Sequence, residues 1–335
     1  MKRLIVIGII LLFLFCNISF TTLSDEDSGN LSGKTLYVGG SGEGNYTKIQ
    51  DAINDSSDGD TVFVYNGTYY LGEGLIYINK SIELRGESRD ETIITSNNYS
   101  VLYINTNNVG IFGFTFEKVT LGGGPVDIDE TSSYNNIELI NNRINSSGGL
   151  LIILCINVTV KGNIFSPYNG EGYIGIFSAF NSNVKIENNE ISGFANGMFV
   201  TDGNTVKNNL FRDNVIGISA WLDSTSSYPC IISKNNFIQN KIQAEFNFFY
   251  SSKLLKYLPL NLKNNLINEL RFKNIQSFQN KIFSKHIIWN ENYWDDWMGF
   301  GPKLISGSVV ILVFIIPWFN LDWFPAKAPY EIKVN

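Results

Sequence analysis

Seven short segments of this chain, laid under one another, repeat one plan. They are NVGIFGFTF from Asn108, NIELINNRI from Asn136, NVTVKGNIF from Asn157, NVKIENNEI from Asn183, NTVKNNLF from Asn204, CIISKNNFI from Cys230 and HIIWNENYW from His286. The starts from Asn108 to Cys230 lie 28, 21, 26, 21 and 26 residues apart, and an earlier relative, SIELRGESR, starts at Ser81. Each unit is a polar residue, an alternating apolar strand, an Asn or Gly corner and a second short strand. A period of 20–30 residues built from alternating strands is the mark of a solenoid. The uneven spacing favours a parallel β-helix over a leucine-rich repeat, because a β-helix coil must stack only its strands and absorbs insertions at its corners. Alternation sets Val109 and Ile111, Ile137 and Leu139, and Val184 and Ile186 on one face, and stacked coils turn that face into an internal apolar column. No coil can bury that face alone, so the fold needs several.

The corners have a physical reason. Asn tolerates the left-handed backbone of a sharp turn, and its amide both donates and accepts, so equivalent Asn side chains in successive coils can bond as a ladder. Aligned by their starts, with NTVKNNLF taken as a unit shortened by one residue, the units predict one column at Asn141, Gly162, Asn188, Asn208 and Asn235. Beside it they predict a structural ladder at Asn142, Asn163, Asn189, Asn209 and Asn236.

The rest of the chain is read around this repeat. Residues 1–21 begin with Lys2 and Arg3 and an apolar run from Leu4 to Phe15, which suits a signal peptide better than a membrane span. Retained instead of cleaved, the segment would associate the chain with a membrane. Residues 22–34 read as a polar linker, and 35–250 as the β-helix with its N-terminal cap. Within that cap Thr47 is the expected start of a short helix whose Ile49, Ala52 and Ile53 share a face and plug the first coil. Residues 251–285 break the pattern and read as an insertion; 286–335 hold the last coil and a cap with Trp289, Trp294, Trp297, Trp318 and Trp323. The run Val309–Ile316 is expected to be a buried strand. Cys155 and Cys230 sit in apolar runs and read as buried free thiols. If the chain is exported, sequons at Asn30, Asn45, Asn54, Asn66, Asn79, Asn98, Asn145 and Asn157 are glycan acceptor candidates. A net charge of −6 with interspersed signs excludes the basic stripe a nucleic-acid binder needs.

Several segments together resemble the NosD-type, pectate-lyase-like superfamily of right-handed parallel β-helix proteins. They are TLYVGGSG, YTKIQDAI, GDTVFVYNGTY, INKSIELRGES and ETII, then the Asn-marked coils, then NYWDDWMGFGPKLISG and PWFNLDWFPAKAPYEI. The resemblance implies one all-β solenoid, export to the cell surface, and sugar-related or metal-maturation roles. The tail is similar to the ending of archaeal surface β-helix proteins labelled periplasmic copper-binding. Those relatives commonly carry His where this chain has Phe324, which removes a ligand.

Three functions follow as expectations. A lyase would need clustered carboxylates for Ca²⁺ and a base, and a hydrolase would need paired carboxylates. The candidates are Asp127 and Asp129, which alternate to one side, and the adjacent Asp295 and Asp296; Asp202, Asp213 and Asp223 are scattered, with Arg212 nearby. Copper wants His, Met or Cys, and the chain has one His, His286, with three Met and three Cys. The leading reading is a non-catalytic protein that binds polysaccharide or cell-envelope glycans, with Tyr168, Tyr173, Trp221 and Phe177 as candidate contacts. It needs no cofactor.

Overall fold

The computed structural model describes residues 33–334 apart from 98–99, 118–119, 124–133, 154, 169, 171, 180, 182, 224–227, 251–285 and 312–313. Among the described residues the only α-helix is Ile49–Asp55; everything else regular is strand. The strands form three long sheets. The first runs through ten strands from Thr35–Val38 to Ile287–Asn290, the second through nine from Gly67–Tyr70 to Tyr293–Trp294. The third runs through ten from Ile76–Ile78 to Phe314–Asp322. Each coil visits the sheets in that order, and neighbouring coils pair in parallel. Among the described strands only the last pairing, Lys303–Ile311 with Phe314–Asp322, is antiparallel. The fold is a right-handed parallel β-helix.

The register follows from the apolar columns. In the first sheet Leu84, Ile111, Leu139, Val160, Ile186, Val206 and Ile232 lie over one another and are buried. In the second, Phe165, Ile191, Phe211, Phe237 and Trp294 do the same. Phe237 stacks between Phe211 and Trp294, with ring centroids 5.1 and 4.3 Å away. Each such side chain contributes about 1.5–3 kcal/mol, and a one-residue slip would turn a whole strand's set outward. The helix closes the N-terminal end with Ile49, Ala52 and Ile53 buried. Its N-cap is Lys48, without a side-chain capping bond, and not Thr47: burial of this apolar face forms the helix, and no cap is required.

The Asn ladder lies at the corner between the first and second sheets. Its residues are Asn142, Asn163, Asn189, Asn209, Asn235 and Asn292, all with 0% exposure. Each Oδ1 accepts the backbone N–H of the ladder residue one coil earlier, at 2.8–3.0 Å from Asn163 onward. Each Nδ2 donates to a carbonyl of that earlier coil, as Asn189 does to Val160 O at 2.9 Å. Asn236 is therefore not a rung. Thr205 pairs with Ile231, so that Val206 and Ile232 both face inward, and this register places Asn235 over Asn209. Asn236 instead exchanges two hydrogen bonds with the backbone of Tyr330. The left-handed corner beside the ladder is Asn141, Gly162, Asn188 and Asn208, then Lys234 and Glu291 at φ of 55° and 56°.

Candidate functional site

Two terminal carboxylates show why acids sit where they do. The ladder runs in one direction, so its last rung offers donors with no further Asn to accept them. Asp322, fully buried, fills that place. It accepts from Asn292 N and Nδ2 at 3.0 Å, from Trp294 Nε1 at 3.2 Å and from Glu291 N at 3.2 Å. A second, shorter ladder lies between the second and third sheets: Asn214 donates to Ile191 O and to Asn240 Oδ1, and Asn240 to Gln243. Asp295 closes it, accepting from Gln243 Nε2 and from Gln239 N. Asp296 pairs with Lys303 at 2.6 Å. Arg212 pairs with Glu190 at 2.7 Å and with Asp213 at 3.0 Å. Asp322, Asp295 and Glu190 are engaged in holding coils together, and Asp296 and Asp213 pair locally. Asp127 and Asp129 lie outside the described residues.

A largely covered polar pair, its side chains 12% and 13% exposed, lies where the chain returns from the third sheet to the first. Asp202 accepts the Asp223 N–H at 2.9 Å, and its other oxygen is 3.9 Å from His286 Nδ1, too far for a hydrogen bond. Burial pushes its carboxyl up to about 8. Cys230, fully buried nearby, has its thiol raised, first by burial and then by Asp202. Cys155 lies apart among apolar residues, its thiol pushed up to about 11 by burial. Both thiols are free and buried. Met198 is in the core and Met298 is 82% exposed. Among the described residues no three His, Cys, Asp or Glu side chains come together as a metal-holding group.

The outer face of the third sheet offers a different chemistry. Phe177 pairs in register with Phe199, and their rings stack at 4.7 Å and 5°. Trp221 leans over Phe199 at 5.4 Å. Its indole N–H donates to Ser219 Oγ at 3.1 Å, and that hydroxyl donates to Glu245 at 2.9 Å. In the row beside it, Trp221, Asn247 and Ser308 follow one another across three coils, and Ser308 donates to Asn247 at 2.6 Å. Phe177, Trp221, Glu245, Asn247 and Ser308 are partly exposed. Of the aromatic residues singled out from the sequence, Phe177 and Trp221 thus meet through Phe199. Tyr173, on the same sheet, is 82% exposed, and Tyr168, at a corner, is 45% exposed. Sequence reasoning missed Phe199, Ser219 and Glu245, whose signal is their register: they follow Phe177 in one column through three successive coils.

No curated protein matches this chain. Among solved structures it is similar to the A-module of the mannuronan C-5 epimerase AlgE4 from Azotobacter vinelandii, at 15% identity and a TM-score of 0.47, over 60% of this chain and 64% of that one. It is similar to the pectate lyase Pel9A at 14% identity and a TM-score of 0.49, over 66% and 69%. The same holds for a pectin methylesterase in complex with a hexasaccharide, at 12% identity and a TM-score of 0.33, over 65% and 71%. The chain spans just under two thirds of the epimerase module. The model of one family, described as periplasmic copper-binding protein (NosD), matches residues 53–299, most of the chain, and this chain belongs to the NosD family.

Proposed function

We propose that this chain is an exported, non-catalytic β-helix protein that binds carbohydrate of the cell envelope on the outer face of its third sheet. The observation that carries the reading is the aromatic group on the outer side of that sheet, in which Phe177 and Trp221 are partly exposed and pack over Phe199, itself 5% exposed, edged by Glu245 and Asn247. Stacked coils repeat about every 4.8 Å, close to the length of one pyranose unit, so successive rungs can meet successive sugars. Aromatic faces suit the apolar faces of sugar rings, and the carboxylate and amide suit hydroxyl groups. Export is proposed to run through the Leu4–Phe15 segment, and the family's periplasmic description supports it.

Glycan-array binding by the intact protein, beside an absorbance assay for unsaturated uronate with and without Ca²⁺, tests the reading. Saccharide binding should fall about tenfold in Trp221→Ala, the loss of one stacked aromatic anchor. Calcium-dependent product would replace binding by a lyase activity, and binding unchanged in Trp221→Ala would remove the face from consideration. Family membership favours a second reading, an accessory part in copper-enzyme maturation. The donors do not fit a copper site in this chain alone: it has one His, its two coil thiols are buried, and its described Met residues lie apart. One tightly held copper per purified chain would overturn that statement.

A further inference from the structure

The last two strands make a surface unlike the rest of the solenoid. Lys303–Ile311 and Phe314–Asp322 pair antiparallel with Ile311 opposite Phe314, so two residues, Leu312 and Val313, connect them. Alternation gives this hairpin two faces. One packs on the core through Ile305 and Val309, each 2% exposed, with Trp318 against it. The other turns outward with Leu304 at 53%, Ile315 at 70% and Phe319 at 42% exposure. Between them stand Ser306 and Pro317, also exposed. From Leu304 to Leu321 the sequence contains no Asp, Glu, Lys, Arg or His. The expectation of a buried strand over Val309–Ile316 thus holds for Val309 and fails for Ile315, because a hairpin has a second face and none of the described residues covers it.

We propose that this outer face is a lipid-docking surface that rests the C-terminal end of the solenoid on a bilayer. Three observations favour lipid over another protein chain. The connection Ile311-Leu312-Val313-Phe314 has none of the Gly, Asn, Asp or Pro that a water-exposed hairpin turn uses. The outer strand is the free edge of its sheet and carries Pro317 in mid-strand, a feature that blunts addition of a further strand from a second copy. Beside the hairpin's base, Trp323 at 61% and Phe324 at 71% are exposed, the aromatic types that collect at membrane–water boundaries. With no charge on the face, docking draws on apolar burial and does not need anionic lipid.

The test uses the full chain with Ile9→Lys and Leu12→Lys, so that the apolar run at its start does not supply the binding. Flotation with neutral phosphatidylcholine vesicles should recover this protein, with little change on adding salt. Ile315→Lys with Phe319→Lys should lower the bound fraction about tenfold or more, from the loss of two buried apolar side chains. Tyr70→Lys, at an exposed aromatic on the first strand of the second sheet, near the opposite end of the solenoid, should leave it unchanged. Circular dichroism establishes that each variant is folded. Quenching of tryptophan fluorescence by brominated lipid should be lost together with binding. Failure of the protein to float, or equal flotation of the hairpin variant, would overturn the proposal. So would a hairpin variant that converts an oligomer to a monomer without affecting flotation, since the face would then belong to a second copy.

Discussion

Replacement of Asn189 by Leu tests the ladder at its middle rung. The Asn189 side chain makes four hydrogen bonds: Nδ2 donates to Val160 O at 2.9 Å and to Asn209 Oδ1 at 3.0 Å, and Oδ1 accepts from Asn163 N at 2.8 Å and Asn163 Nδ2 at 3.0 Å. Two of the partners keep other bonds, since Asn163 Nδ2 also reaches Leu139 O and Asn209 Oδ1 also accepts Asn189 N. The Asn163 N–H is left buried with no acceptor, and the Val160 carbonyl loses a donor. An orphaned buried group costs about 1–3 kcal/mol and a lost ordinary bond about 1, so Asn189→Leu, which keeps the branched outline but is bulkier, should destabilise by at least about 2–4 kcal/mol. Asn189→Asp separates hydrogen bonding from shape. A carboxylate oxygen would replace Nδ2 and face two acceptors, Val160 O and Asn209 Oδ1, in a site with 0% exposure. Burial and those acceptors must raise the pKa of that acid in the folded state. Relative to the parent, the variant should therefore be most stable below the unfolded carboxyl pKa of about 3.9 and lose stability as pH rises through the raised value. Urea unfolding followed by far-ultraviolet circular dichroism at several pH values reads both effects. A cost for Asn189→Leu below about 0.5 kcal/mol, well under one orphaned group, would refute the ladder as a structural element, as would an Asn189→Asp variant whose pH dependence matches the parent's.

Further outcomes follow from the same geometry. Asp322→Ala should leave Asn292 N and Trp294 Nε1 without an acceptor, while Asn292 Nδ2 keeps Ile232 O, and should cost about 3–5 kcal/mol, with faster amide exchange at Glu291–Trp294; unchanged exchange there would refute the cap. Asp202, raised to about 8 by burial, holds a proton in the folded state that the unfolded chain releases near pH 3.9 or so, so this group makes stability fall as pH rises from about 4 to about 8. Asp202→Asn should flatten that slope in a pH series of urea midpoints, and an unaltered slope would count against it. Phe237→Ala should cost about 3–5 kcal/mol by opening a void between Phe211 and Trp294, and a loss under about 1 kcal/mol would contradict the stacked column.

The solenoid could be read from the chain because its signals are local. Strand alternation and the corner residues that accept a left-handed backbone lie within nine residues of one another, and both recur every 21–28 residues. The helix over Ile49–Asp55 was legible for the same reason, through the spacing of Ile49, Ala52 and Ile53. Register was harder. Taking NTVKNNLF as a shortened unit shifted the next coil by one residue and put Asn236 in the place of Asn235. In a chain with so many adjacent Asn pairs the letters alone do not say which partner turns inward; the stacking of Val206 on Ile232 does.

What the sequence by itself determined is the repeating coil: strands of period two, corners of Asn and Gly, and an apolar side that demands neighbours. What only the tertiary structure decided is which residues from different coils meet. Asp322 reaches the end of the ladder across 30 residues from Asn292, and Asp295 ends the second ladder across 52 residues from Gln243. Phe177, Phe199 and Trp221 become one surface for the same reason, and the two faces of Lys303–Asp322 become distinguishable only when one is seen packed on the core. A parallel solenoid sets side by side residues a whole coil apart, and coil length varies with every corner insertion. Those contacts are therefore a product of stacking, in which buried columns and hydrogen-bonded rungs select the register, and no local pattern encodes them.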